Sequence, residues 1–120
     1  MTLTNKEAKK LASYLGKIGC IPVGSYGRNS HLGEGTNEKV YGDFDALTLK
    51  PLTEVYKKIH DKFDQIEVLM NGTKYMSLYL DNHIQLDIWK TDKENFWETY
   101  SRHIIEKNKL IYINKFLKNN

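Results

Sequence analysis

Three apolar runs separated by two short turn pairs constrain this chain more than any other feature. Residues 65–70, 73–80 and 83–89 are joined by Asn71-Gly72 and Asp81-Asn82. Asn-Gly between apolar runs is a strong hairpin signal, and the second pair repeats it. The spacing predicts three antiparallel strands in a meander. Successive strand residues point to opposite faces, so Ile84, Leu86 and Ile88 share one face while Gln85, Asp87 and Trp89 share the other. A carboxylate in the middle of so apolar a strand is costly without a partner. Asp87 therefore needs one.

A second stretch, residues 20–50, offers candidates. Cys20-Ile21-Pro22-Val23 reads as a short buried strand that breaks at Gly24-Ser25 into a turn containing Gly27 and Arg28. A polar loop over 29–41 follows, expected to be exposed and mobile. Residues 44–49 read as the next strand, with Asp43 and Asp45 at its start. Their spacing aims two carboxylates to one side. Like charges so close repel unless a cation sits between them, and hard oxygen ligands suit magnesium. If the strand carrying Asp87 lies alongside, three carboxylates converge. The glycine-serine turn can offer N–H groups, a hydroxyl and the Arg28 guanidinium to an anion. Each piece alone is common: glycine-serine turns are mostly plain turns, paired acids are mostly solvated, and Asp87 alone could be buried against Arg28. Together, in this order, they compensate one another electrostatically.

The remaining chain supplies scaffold. Thr4-Asn5-Lys6-Glu7 is a capping-box pattern, and Ala8, Leu11, Ala12, Leu15 and Ile18 recur at helical spacing until Gly16 and Gly19 stop the helix. Pro51 ends the strand before it. Leu52, Val55, Tyr56, Ile59 and Phe63 describe a second amphipathic helix, with Thr53 as its expected cap. From about Lys93 the pattern is helical again, with Phe96, Trp97, Tyr100, Ile104 and Ile105 as its expected buried side, and a short helix is expected over 110–117. At 120 residues, with 40% apolar and 28% charged residues, the chain has the size and composition of one soluble globular domain. No apolar run reaches membrane-spanning length and the N-terminus does not resemble a signal peptide, so an intracellular, non-secreted protein is expected. The single Cys20 precludes an internal disulfide and is expected to be a buried strand residue. His31, His60, His83 and His103 lack ligand spacing, which argues against zinc. A net charge of +3 is too small to argue for nucleic acid by itself. The basic residues from Arg102 onwards (Lys107, Lys109, Lys115 and Lys118) read first as a solvated helix face and second as a phosphate contact.

As a set, Val23-Gly24-Ser25-Tyr26-Gly27-Arg28, then Gly42-Asp43-Phe44-Asp45, then Leu86-Asp87-Ile88 resembles the nucleotidyltransferase superfamily typified by DNA polymerase beta. The Gly-Asp-x-Asp form, the Lys50-Pro51 ending its strand, and a third aspartate after a long hairpin look most like family X DNA polymerases. The resemblance implies an α+β palm over residues 1–92, a mixed, mostly antiparallel sheet with helices packed on one face, followed within the same domain by a helical segment over 93–120. It implies that Gly24, Ser25 and Arg28 hold a nucleoside triphosphate. Asp43, Asp45 and Asp87 would then bind two magnesium ions roughly 4 Å apart, for which manganese can substitute. The implied reaction adds nucleotides to a nucleic-acid 3′-hydroxyl, a DNA primer end first, as in DNA repair. An RNA, small-molecule or protein hydroxyl is the alternative acceptor, and an inert nucleotide-binding adaptor is the alternative outside catalysis. The loop between Arg28 and Asp43 is longer than such enzymes usually have. Tyr100-Ser101-Arg102-His103 stands where the family has an aromatic pair followed by Thr-Gly, and no lyase activity is expected.

Overall fold

The computed structural model describes residues 3–27 and 40–103. Arg28, the loop residues up to 39, Ile104, Ile105 and the helix expected over 110–117 lie outside the described residues.

Strand β1 (Leu3–Thr4) leads into helix α1 (Asn5–Lys17). Thr4 is its N-cap and completes the capping box: its hydroxyl oxygen accepts from the Glu7 N–H at 3.2 Å, and the Thr4 N–H donates to Glu7 Oε1 at 3.1 Å. Gly16 lies inside the helix; Gly19, at φ 92°, follows its end in the left-handed conformation that glycine tolerates best. Strand β2 (Cys20–Val23) follows, and residues 24–27 are helical, not an open turn. Strand β3 (Val40–Tyr41), in what the sequence reads as the end of a loop, pairs antiparallel with β1.

The main sheet comprises β2, β4 (Phe44–Thr48), β5 (Ile66–Asn71), β6 (Tyr75–Leu80) and β7 (Ile84–Lys90), in the order β2-β4-β7-β6-β5. The topology follows from chain direction. After β4, helix α2 (Leu52–Lys62) carries the chain to the far edge, so β5 runs parallel to β4. The meander then alternates direction twice and brings β7 back beside β4, parallel to it. All other pairings are antiparallel, giving the mixed sheet of an α+β fold. Pro22, which has no N–H to donate, sits on edge strand β2.

The two turns differ. Asp81 and Asn82 both take positive φ (49° and 62°), as the centre of a type I′ turn requires, and the His83 N–H donates to the Leu80 carbonyl at 3.1 Å. Asn71-Gly72 is not a two-residue turn. A register shift between Val68 and Met70 pairs Asn71 with Met76, so Asn71 belongs to β5 and residues 72–74 form the connection.

One face of the sheet buries Phe44, Ala46, Met76, Leu78, Leu86 and Ile88 against Ala8, Leu11 and Leu15 of α1 and Leu52, Val55 and Ile59 of α2. Burial of each large aliphatic chain stabilises by about 1.5–3 kcal/mol. Helix α3 (Phe96–His103) corrects the expectation that all helices share that face. Its Phe96 and Tyr100 pack with Ile21, Val23 and Leu47 on the opposite face. The reason lies in β2, which is buried on both sides, and in Leu47 of β4, which shares a face with Ile21 and Val23; together they require a second cover. Trp97, expected to be buried, is 55% exposed because it lies about 100° round the helix from Phe96. Helix α2 has Pro51 at its N-cap and no side-chain cap, so Thr53 lies inside the helix and does not cap it. Cys20 is buried, and desolvation pushes its thiol up to about 12, which makes it an inert packing residue.

A tertiary ion pair ties the start of α1 to the β6–β7 turn: His83 Nε2 lies 2.6 Å from Glu7 Oε2. The Asp81 carbonyl and then Glu7 hold the His83 pKa above its ordinary 6.5, while His83 and the Thr4 N–H hold Glu7 below its ordinary 4.5. A raised histidine pKa stabilises fully below the unfolded value and loses that contribution as pH rises through the folded one; a lowered carboxylate pKa does the reverse. The pair is therefore expected to contribute most between pH 4.5 and 6.5. Both side chains are 38% exposed, so the contribution is small, about 0.2–1 kcal/mol. Urea unfolding of Glu7→Gln and the parent at pH 5.5 and pH 9 tests this: the difference is expected to shrink at pH 9.

Candidate metal centre

The parallel register of β4 on β7 sets Asp45 opposite Asp87, and Asp43 stands two residues before Asp45 on the same side. One ligand oxygen from each of Asp43, Asp45 and Asp87 lies within 4.8 Å of the others. Two full negative charges at that separation repel by about 3.5 kcal/mol at an effective dielectric of about 20. The cluster lies on the face that α3 partly covers. Asp43 and Asp45 are half-buried and Asp87 is only 5% exposed. Burial, then the neighbouring charge of Asp87, then a hydrogen bond with it, raise the Asp43 pKa above its ordinary 3.8. Among the described residues, this is the group of His, Cys, Asp or Glu side chains that could hold a metal ion. Three carboxylates are a hard, anionic, all-oxygen donor set, which fits magnesium or manganese.

Gly24 is where the chain leaves β2, directly after Val23, which pairs with Asp45. Its φ is 66°, and a Cβ built there would run into the Asp45 carboxylate, with the Asp45 Cβ and Cγ only 3.0 Å away. Glycine is required twice over: for the left-handed backbone and for the close approach. Ser25 is half-buried in the helical turn that begins there. Thus Asp43, Asp45, Asp87 and Gly24 come together, Ser25 follows in the same turn, and Arg28 lies outside the described residues.

Three further residues contact Asp87, of which the sequence placed only Gln85, on the same strand face. Ser77 on β6 pairs with Asp87, and its hydroxyl donates to Asp87 Oδ1 at 2.5 Å. The Tyr75 hydroxyl donates to the same oxygen at 3.1 Å. Burial, with the negative charges of Asp87 and Asp45 adding to it, raises the Tyr75 pKa and keeps the phenol a donor. The Gln85 amide reaches both Asp87 oxygens, at 3.5 and 3.4 Å. The available signal was Ser77 itself, the one small polar residue in the run Tyr75–Leu80. Trp89 lies beyond, its ring 4.9 Å from that of Tyr75.

The Asp43 shift makes a testable statement about stability. With its folded pKa raised, Asp43 contributes stability that is complete below pH 3.8 and lost as pH rises through the folded value. Without divalent metal, Asp43→Asn is expected to melt above the parent at pH 7, and the gap is expected to close towards pH 4. Saturating magnesium should reverse the order at pH 7 by stabilising only the parent. Parallel melting curves at every pH, unmoved by magnesium, would contradict the shared site.

Among the described residues, no helix is long and apolar enough to cross a membrane. Compared with models of known protein families and with curated proteins, the chain matches none.

Proposed function

We propose that the chain is a magnesium-dependent nucleotidyltransferase with a polymerase beta-like palm, acting first on a nucleic-acid 3′-end. The observation that carries this reading is the convergence of Asp43, Asp45 and Asp87 within 4.8 Å, delivered by neighbouring parallel strands beside the close backbone approach at Gly24. Phosphoryl transfer asks little covalent chemistry of a protein; it asks for positioning and charge neutralisation. Divalent ions bound there would supply Lewis-acid stabilisation to the attacking and leaving oxygens of an in-line displacement. Asp43 and Asp45 would hold the triphosphate side of the site. Asp87, anchored through Oδ1 by Ser77 and Tyr75, would hold the side that takes the acceptor hydroxyl. The turn that starts at Gly24-Ser25 would offer N–H groups and a hydroxyl to the phosphates, with Arg28 next in the chain. In the reaction a bond forms between the acceptor oxygen and the α-phosphorus, the hydroxyl proton is lost, and pyrophosphate leaves.

Nucleoside triphosphates labelled at the α- or γ-phosphate test this. Each is incubated in magnesium with a DNA primer, an RNA oligomer or the protein alone. The expected result is α-label transferred to the primer with release of γ-labelled pyrophosphate. Transfer of α-label to RNA or protein instead would move the acceptor and keep the chemistry. Transfer of γ-label would mean a kinase. Triphosphate binding with no transfer would favour an adaptor.

A further inference from the structure

The hydroxyls on Asp87 have a consequence beyond filling a buried acceptor. A carboxylate oxygen has two lone-pair sites, and both on Oδ1 are addressed, by Ser77 at 2.5 Å and by Tyr75 at 3.1 Å. Metal coordination through Oδ1 would have to displace one of these donors. Oδ2 has the Gln85 amide at 3.4 Å, near the limit of a hydrogen bond, and the hydrogen bond between the Asp43 and Asp87 carboxyls is one that a cation held by both would replace. Ser77 is 3% exposed and sits on the strand that pairs with β7, so its hydroxyl is fixed by the sheet and not by a loop. Tyr75 is held in turn by the Trp89 ring.

We propose that Ser77, backed by Tyr75, is a positioning residue of the metal centre: it locks the Asp87 carboxylate through Oδ1 and presents Oδ2 alone to the cation. The inference rests on reading Asp43, Asp45 and Asp87 as that centre. Donors behind a ligating group fix its orientation, and their loss usually weakens metal binding by about 10–100-fold. Ser77 therefore acts through Asp87, and its effect depends on Asp87 being a carboxylate ligand.

The test is manganese affinity without nucleotide, measured by electron paramagnetic resonance of the free ion. The proteins compared are the parent, Ser77→Ala, Asp87→Asn, the double variant of these two, Tyr75→Phe, and Tyr75→Phe combined with Asp87→Asn. Ser77→Ala is expected to bind about tenfold more weakly than the parent, and the double variant no more weakly than Asp87→Asn alone. Parental affinity in Ser77→Ala overturns the proposal and leaves the metal centre standing. An equal loss in the Asp87→Asn background also overturns it, because the role would then be general to the sheet. If Asp87→Asn binds like the parent, the metal-centre reading falls and takes this one with it. If Ser77→Ala does not fold, Tyr75→Phe decides: a loss of about threefold that vanishes in the Asp87→Asn background supports the proposal, and parental affinity overturns it.

Discussion

Asp87→Asn is expected to lower nucleotide transfer by about 10³-fold or more while leaving triphosphate affinity within a few-fold of the parent. The side chain is 5% exposed and faces two other carboxylates, so the charge is a burden on the metal-free fold. Asparagine keeps an oxygen to accept from Ser77 and Tyr75, and its amide replaces a repulsive contact with a donor towards Asp43. Melting of the metal-free variant should therefore be unchanged or slightly higher. Asp43 and Asp45 would still serve the triphosphate side. A loss of turnover without a loss of affinity marks an interaction made mainly in the transition state, here about 4 kcal/mol. Transfer at the parental rate would remove Asp87 from the site. A comparable loss of triphosphate affinity would mean that Asp87 serves nucleotide binding instead.

Gly24→Ala should be the most damaging substitution that touches no charge. The left-handed backbone alone costs about 1–2 kcal/mol for a residue with a Cβ. The added methyl also meets the Asp45 carboxylate, so either β2 or Asp45 must shift. Urea unfolding should show the stability loss, and manganese affinity should fall with it because a ligand has moved. Gly16→Ala is the control: nothing lies within 4 Å of a Cβ there and the site is helical, so it should stabilise by up to about 1 kcal/mol. A Gly24→Ala variant as stable as the parent, with unchanged manganese affinity, would mean that Gly24 does not abut Asp45 in solution.

Much of this was legible in the sequence because local chemistry and global arrangement agree. The capping box fixed the start of α1, and Asp81-Asn82 fixed the β6–β7 turn. The alternation in Ile84–Lys90 put Asp87 opposite Ile84, Leu86 and Ile88. What escaped depends on register and on partners distant in sequence. Nothing local says that Ser77 pairs with Asp87, or that a bulge between Val68 and Met70 moves the turn off Asn71-Gly72. The second cover by α3 was readable in principle from the unbroken apolar run of β2. That Phe96 and Tyr100 supply it while Trp97 does not follows from helical phase once the helix start is known. For the site, two-residue spacing gave the Asp43–Asp45 pair. Its meeting with Asp87 required β7 to lie beside β4; the parity of a crossover followed by a meander makes the two strands parallel, but their adjacency is a tertiary choice that no local pattern encodes.

If Asp43, Asp45 and Asp87 jointly bind divalent cations, ions should be found between their carboxylates. Anomalous scattering from crystals grown with manganese and a non-hydrolysable nucleoside triphosphate tests it most directly. Manganese peaks coordinated by carboxylate oxygens of Asp43, Asp45 and Asp87 are expected, with Asp87 contributing Oδ2 while Oδ1 stays on Ser77 and Tyr75. Manganese bound to the triphosphate alone, with the three carboxylates still clustered and no ion between them, would contradict it.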